Sequence, residues 1–216
     1  MDENSGFLPR LWKRVMLRSV HFSDSHRRLD LLYKLPDPWG METRREQHRF
    51  GETNAFIMRH LGPVDRLLEV GCGEGHQTLF LRQVARVVVG LDVSSTAIER
   101  ARARAPEVAF VAGDLFNLPD AVGPRQFDVV TACEVLYYVR DVPGYVRMLE
   151  RLGRRVVATY VDKHRDALDP ILLSKPGIIA ERIRFEDIGW TIAMWRGDAE
   201  QAVRPNESDP SRDRLG

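Results

Sequence analysis

The chain has 216 residues, 44% hydrophobic and 29% charged, the proportions of a globular domain with a sizeable core. Its formal net charge of +1 gives no field that would steer nucleic acid or an anionic membrane, and no apolar run approaches the roughly 20 residues that span a bilayer. Two cysteines, Cys72 and Cys133, make no metal framework. They are expected as free thiols in a reducing cytoplasm, and the first residues hold no secretory apolar stretch.

In chain order, residues 1–8 are polar and expected to fray. Helices are predicted within 9–33 and 43–61, with "LPDPWGME" as a structured turn between them. The basic, amphipathic Pro9–Val20 reads as a surface helix, an interfacial or targeting helix being the alternative. From Asp65 the texture alternates. "DRLLEVG", "RVVVGLDV", "VAFVAGD", "FDVVTACEV" and "RRVVATYV" read as strands. "GHQTLFLRQVA", "SSTAIERARARA" and "VPGYVRMLERLG" read as the helices between them, the second with a serine N-cap and the third ended by Gly153. "AERIRFED" and "WTIAMWR" flank Ile188 and Gly189 and predict an antiparallel pair turning there. Such alternation predicts a doubly wound α/β fold: a mostly parallel, seven-stranded Rossmann-like sheet with an antiparallel last pair and helices on both faces. Residues 1–62 are expected to be a helical segment acting as a lid, 63–197 the ligand-binding domain, and 198–216 a disordered tail.

The stretch "LLEVGCGEGHQ" (67–77) ends the first strand in three glycines, Gly71, Gly73 and Gly75. In an open α/β sheet ligands sit beyond the carboxyl ends of the strands, where this loop lies. Asp92 ends the second strand and suits a ribose diol. Asp114, after the third strand, suits an exocyclic adenine amine. Either carboxylate also suits a local cap or turn. The G-x-G-x-G spacing departs from the G-x-G-x-x-G of dinucleotide sites, and no GK[ST] run is present. A ligand with adenine and ribose but no phosphate fits better, which disfavours an NAD-dependent dehydrogenase.

These stretches, with "VGLDVS" (89–94), "AGDL" (112–115) and "FDVVTACEVLYYV" (127–139), resemble the class I S-adenosylmethionine-dependent methyltransferases over about 65–196. The resemblance implies S-adenosylmethionine as cofactor and S-adenosylhomocysteine as product. It places Glu69 and Gly71 beside the methionine amine, Asp92 on the ribose, Val93 beside the adenine, Asp114 and Leu115 on the adenine edge, and Glu134 near the sulfonium, with Cys72 and Gly73 also cofactor-binding. "DPWGMETRREQHR" (37–49) and "CEVLYYV" are similar to the NodS-type branch, bacterial N-methyltransferases of amino sugars and similar amines. That likeness implies closure over the cofactor by Trp39, through a cation–π contact, and by Arg49, through the methionine carboxylate.

In-line methyl transfer needs an aligned, neutral nucleophile and a proton acceptor. Glu134, Tyr137 and Tyr138 are the catalytic candidates, with His48 a further one. The other histidines, His21, His26, His60, His76 and His164, read as surface or cap residues, and no metal site is expected. The segment before the last two strands, about 163–179, is short, leaving an open cleft roofed by the N-terminal segment. This suits a small polar acceptor, an amino sugar or another amine. O-methylation of a natural product, RNA methylation and a non-catalytic cofactor-binding subunit are the competing functions. No Asn-Pro-Pro-Tyr-like run or basic aromatic patch supports nucleic acid, and no membrane partner is expected. The oligomeric state, monomer or dimer, is open.

Overall fold

A computed structural model of the chain describes residues 31–35, 37–122 and 126–198. The expectations for residues 1–30, including Pro9–Val20, His21 and His26, and for the tail from 199 onward, lie outside the described residues.

The first described helix, α1 (Arg44–Leu61), buries Glu46, Arg49, Phe50, Thr53, Asn54 and Ile57. These fall at helical spacings of three and four and form one stripe against the sheet. The stripe is apolar toward the helix C-terminus and polar at Glu46 and Arg49, which matters for the site below. Beyond α1 the elements alternate: β1 (Val64–Val70), α2 (His76–Leu81), β2 (Ala85–Asp92), α3 (Ser95–Arg104), β3 (Ala109–Ala112), β4 (Phe127–Cys133), α4 (Val142–Leu152), β5 (Gly153–Val161), α5 (Arg165–Leu172), β6 (Ile179–Phe185) and β7 (Ile188–Arg196). Ser94 accepts from the Ala97 N–H to cap α3, and Asp141 accepts from Gly144 to cap α4.

The strands form one seven-stranded sheet in the order β3-β2-β1-β4-β5-β7-β6. The first five are parallel, and β7 runs antiparallel to both β5 and β6. Strand order reverses between β1 and β4, so their carboxyl ends open a crevice there. Consecutive strand residues serve opposite faces. Leu68, Val130 and Val156 pack with Val146 and Leu149 of α4, Leu168 of α5 and Trp195. Leu67, Val129 and Val157 pack with Phe56 and Ile57 of α1 and with Leu81. Cys72 lies in the turn just after β1 and Cys133 ends the neighbouring β4; both are free and buried.

Two local expectations are corrected. The last turn is at Glu186 and Asp187, two residues before Ile188 and Gly189, which are both in β7. Glu186 takes the left-handed conformation (φ 54°), and Phe185 pairs with Ile188, closing a two-residue hairpin. Gly189 is a close-approach glycine instead: a Cβ there would lie 2.2 Å from the Asp162 carboxylate. Gly153 ends α4 as predicted; it is extended (φ −117°) and opens β5 directly. The helix predicted over 75–85 stops at Leu81, because the chain turns into β2.

Candidate functional site

At the crevice lies one cleft of about 280 Å³, close to the small end of the roughly 300–1,000 Å³ usual for ligand pockets. Its floor is the Gly71–Gly75 turn. Gly71 has φ 76°, and a Cβ there would lie 2.4 Å from Cγ2 of Val135. Gly73 has φ 53°, and a Cβ there would meet the Tyr33 hydroxyl at 2.9 Å. The turn therefore needs both glycines and leaves bare backbone facing the cleft. Gly71 and Cys72 donate their N–H groups to the Leu91 carbonyl, tying the turn to β2.

The strand ends supply the acids. The Asp92 carboxylate accepts from the N–H of Gly73 and of Ser94, both at 2.9 Å. It thus braces the turn while lining the cleft, and Ser94 rather than Asp92 caps α3. Asp114 accepts from the Phe116 N–H at 3.1 Å and starts a turn, while Leu115 is buried beside it. Val93 and Leu115 also line the cleft. Glu69 is buried and accepts from the Thr78 hydroxyl. Burial lifts its pKa to about 8.

Glu134 has φ 59°, a conformation that non-glycine residues rarely hold and that concentrates at functional sites. Its carboxylate is held from two sides. Thr159 of β5 donates to one oxygen at 3.1 Å, and the Tyr137 hydroxyl donates to the other at 2.8 Å. Burial raises its pKa and nearby Arg49 opposes the rise. Tyr137 stacks on His164 (centroids 4.1 Å apart, 12° between planes) and touches Tyr138. Burial and the Glu134 charge raise the Tyr137 pKa, and burial pushes that of Tyr138 up to about 12.

The roof comes from residues 37–41. Trp39 donates its indole N–H to the Tyr33 hydroxyl at 3.0 Å and lies 5.6 Å from the Tyr138 ring. Arg100 of α3 anchors this segment, donating to the Leu35 carbonyl at 2.8 Å and to Glu74 at 2.5 Å. Arg49 is 1% exposed. Its Nε donates to Glu46 at 2.9 Å, and one terminal nitrogen donates to Gln77 at 2.9 Å and to Thr159 at 3.2 Å. A hydrogen-bonded chain, buried at its Glu46–Arg49–Thr159 end, therefore runs on to the half-buried Glu134 and Tyr137.

Apart from His48, every cofactor and catalytic candidate singled out in the sequence lines this cleft: Trp39, Arg49, Glu69, Gly71, Cys72, Gly73, Asp92, Val93, Asp114, Leu115, Glu134, Tyr137 and Tyr138. His48 does not; it packs against Phe185. His76 lines the cleft instead and, with Asp37 and Glu74, brings three metal-type donors within 4.8 Å of one another. Glu74 is already paired with Arg100, and Asp37 accepts from the Met41 N–H at 2.7 Å. Sequence reasoning passed over Tyr33, Gln77 and Thr159. The last two were visible only as polar residues within an apolar helix and an apolar strand.

Residues 68–156 match the family model described as "Methyltransferase domain". This stretch is similar to that family of methyltransferase domains. The chain is 32% identical over 120 residues to nodulation protein S of Bradyrhizobium diazoefficiens, the match covering 55% of this chain and 57% of that protein. It spans less than two-thirds of the curated relatives it matches first. In fold it is similar to the N-methyltransferase NodS of Bradyrhizobium japonicum WM9, solved with S-adenosyl-L-homocysteine: TM-score 0.65, 20% identity, 80% of this chain and 98% of that one. The [4+2]-cyclase SpnF shares the fold at a TM-score of 0.55 and 17% identity, covering 70% and 82%. The methyltransferase domain fold thus also occurs in a protein named for other chemistry, and the reaction has to be argued from the site.

Proposed function

We propose that the chain is an S-adenosylmethionine-dependent methyltransferase that methylates a nitrogen of a small amine, an amino sugar among the candidates. The observation that carries this reading is the set of acids at four strand ends, Glu69, Asp92, Asp114 and Glu134, around bare glycine backbone, with the buried Arg49 cation among them. Asp92 would accept from the ribose hydroxyls, since a carboxylate offers lone pairs beyond the two its backbone contacts use. Asp114 and the Leu115 backbone would read the adenine edge. Arg49 would take the amino-acid carboxylate. When bound, the donor supplies an activated methyl group on a positively charged sulfur. The chain's own part is alignment, exclusion of water and proton handling. Glu134 accepts the proton that the amine gives up, and the Trp39, Tyr137 and Tyr138 rings suit a cationic ligand beside it. No helix among the described residues is long and apolar enough to cross a membrane. The free thiols Cys72 and Cys133 suit a reducing, cytoplasmic setting.

Calorimetry tests the reading. S-adenosylmethionine and S-adenosylhomocysteine should bind at micromolar level, with no measurable NAD binding. Asp92→Ala should cost about 1–3 kcal/mol of that affinity, as the ribose loses a charged acceptor. NAD binding without adenosylmethionine binding would reverse the assignment.

We also propose that the segment before Leu61 acts as a lid. Trp39→Ala should weaken cofactor binding by roughly 1–2 kcal/mol through lost cation–π and apolar contact. Melting temperature on the same preparation separates this from a packing role, which would lower stability and leave affinity alone. Hydrogen exchange over residues 37–60 should slow when cofactor is added; equal exchange in both states would count against a lid.

A further inference from the structure

Four buried side-chain polar atoms lack a hydrogen-bond partner among the described residues: Asn54 Oδ1, Arg66 Nε, Gln77 Nε2 and Thr191 Oγ1. Of these residues only Gln77 lines the cleft. A buried donor without an acceptor has lost its water and gained nothing in return, so it calls for an explanation. Turning the amide over does not supply one. Gln77 Oε1 accepts from Arg49 at 2.9 Å, and a guanidinium has donors only, so the oxygen must face Arg49 and the amide nitrogen must point elsewhere. Gln77 is 6% exposed and lines the cleft, with its orphan nitrogen buried.

We infer that Gln77 is a specificity-determining residue, which with Arg49 forms a two-donor site for a carboxylate, the anionic end of the ligand's amino-acid tail. The inference rests on the reading of the cleft as an adenosylmethionine site and adds to it a residue outside the glycine turn and the strand ends. The ligand atom must be an acceptor, because the orphan is a donor. It must tolerate the Arg49 cation a bond away, which favours an anion. Glu69, on the same floor, is held largely protonated at neutral pH by its burial, so it does not repel such an anion. Glu46 is engaged by the Arg49 Nε, and Gln77 and Thr159 by one terminal nitrogen, so the second terminal nitrogen is the donor Arg49 offers the ligand.

The experiment is calorimetry with two probes, S-adenosylhomocysteine and its decarboxylated analogue, which keeps the adenosine, sulfur and amine. Gln77→Leu removes both amide functions. Gln77→Glu keeps an acceptor for Arg49, and with it the fold, but removes the donor and adds a negative charge. Gln77→Leu should weaken S-adenosylhomocysteine about tenfold, equivalent to roughly 1.4 kcal/mol. Gln77→Glu should weaken it further, as two carboxylates would face each other. The decarboxylated analogue should bind wild type and both variants alike, and thermal melts should show Gln77→Glu folded. Equal weakening of both probes in both variants, or unchanged affinity for S-adenosylhomocysteine, overturns the inference. Wild type that binds neither probe overturns the reading of the cleft itself.

Discussion

Glu134→Gln is expected to lower turnover of an amine acceptor by a factor of roughly 10²–10⁴, the usual worth of a positioned proton acceptor. The change keeps the volume and leaves an amide oxygen to accept from Thr159 or Tyr137, so the left-handed turn at 134 and the fold should survive. S-adenosylhomocysteine affinity should be little altered, because the assigned contacts of that ligand are to Asp92, Asp114, Arg49 and Gln77. The pH profile carries the stronger test. Burial raises the Glu134 pKa above the ordinary carboxylate value, and only the ionised form accepts a proton. The wild-type rate should therefore climb with pH through that raised pKa, and Glu134→Gln should lose this limb, keeping only the limb set by the amine's own ionisation. Initial rates with labelled donor across pH 5–10 would check this. Unchanged turnover in the variant would send the proton directly to solvent and remove Glu134 from the chemistry.

The fold was legible because its signals are local and repeated. The strand runs around Leu67, Val88, Val129 and Val156 are apolar on both faces, as a covered parallel sheet requires. The glycine turn and the acids at 92, 114 and 134 could be read because each falls at the end of such a run. The Arg49 environment could not be read from position alone. Its partners Gln77 and Thr159 are 28 and 110 residues away, brought together only because α1 packs across the sheet face next to α2 and the end of β5. The hairpin was misplaced for the opposite reason: Gly189 looked like a turn glycine, but it is needed for close approach to Asp162, while Glu186 takes the left-handed position without the usual residue type.

Arg49→Met should cost about 3–5 kcal/mol of stability, the range for removing one partner of a buried ion pair. The guanidinium sits buried against Glu46 at 2.9 Å and stands near Glu134, and methionine supplies bulk but no charge or donor. Glu46→Gln combined with Arg49→Met should recover part of the loss, because replacing both charges leaves less uncompensated than replacing one. The pH dependence follows from the direction of the shifts. A carboxyl whose native pKa is raised holds a proton in the folded state that the unfolded chain has released. Stability is then full below the unfolded value, near 4.3, and falls as pH rises toward the native value. For Glu69 that window runs to about 8 even in the wild type. Arg49 lowers the pKa of both Glu69 and Glu134, so its loss should raise both; Glu69 already keeps its proton to about 8, so the added decline between pH 5 and 8 comes from Glu134. Urea denaturation at pH 5 and pH 8 should show Arg49→Met much closer to wild type at the acid value. Equal destabilisation at the two pH values would mean that the guanidinium acts through packing alone, and that the acids around it are held by other partners.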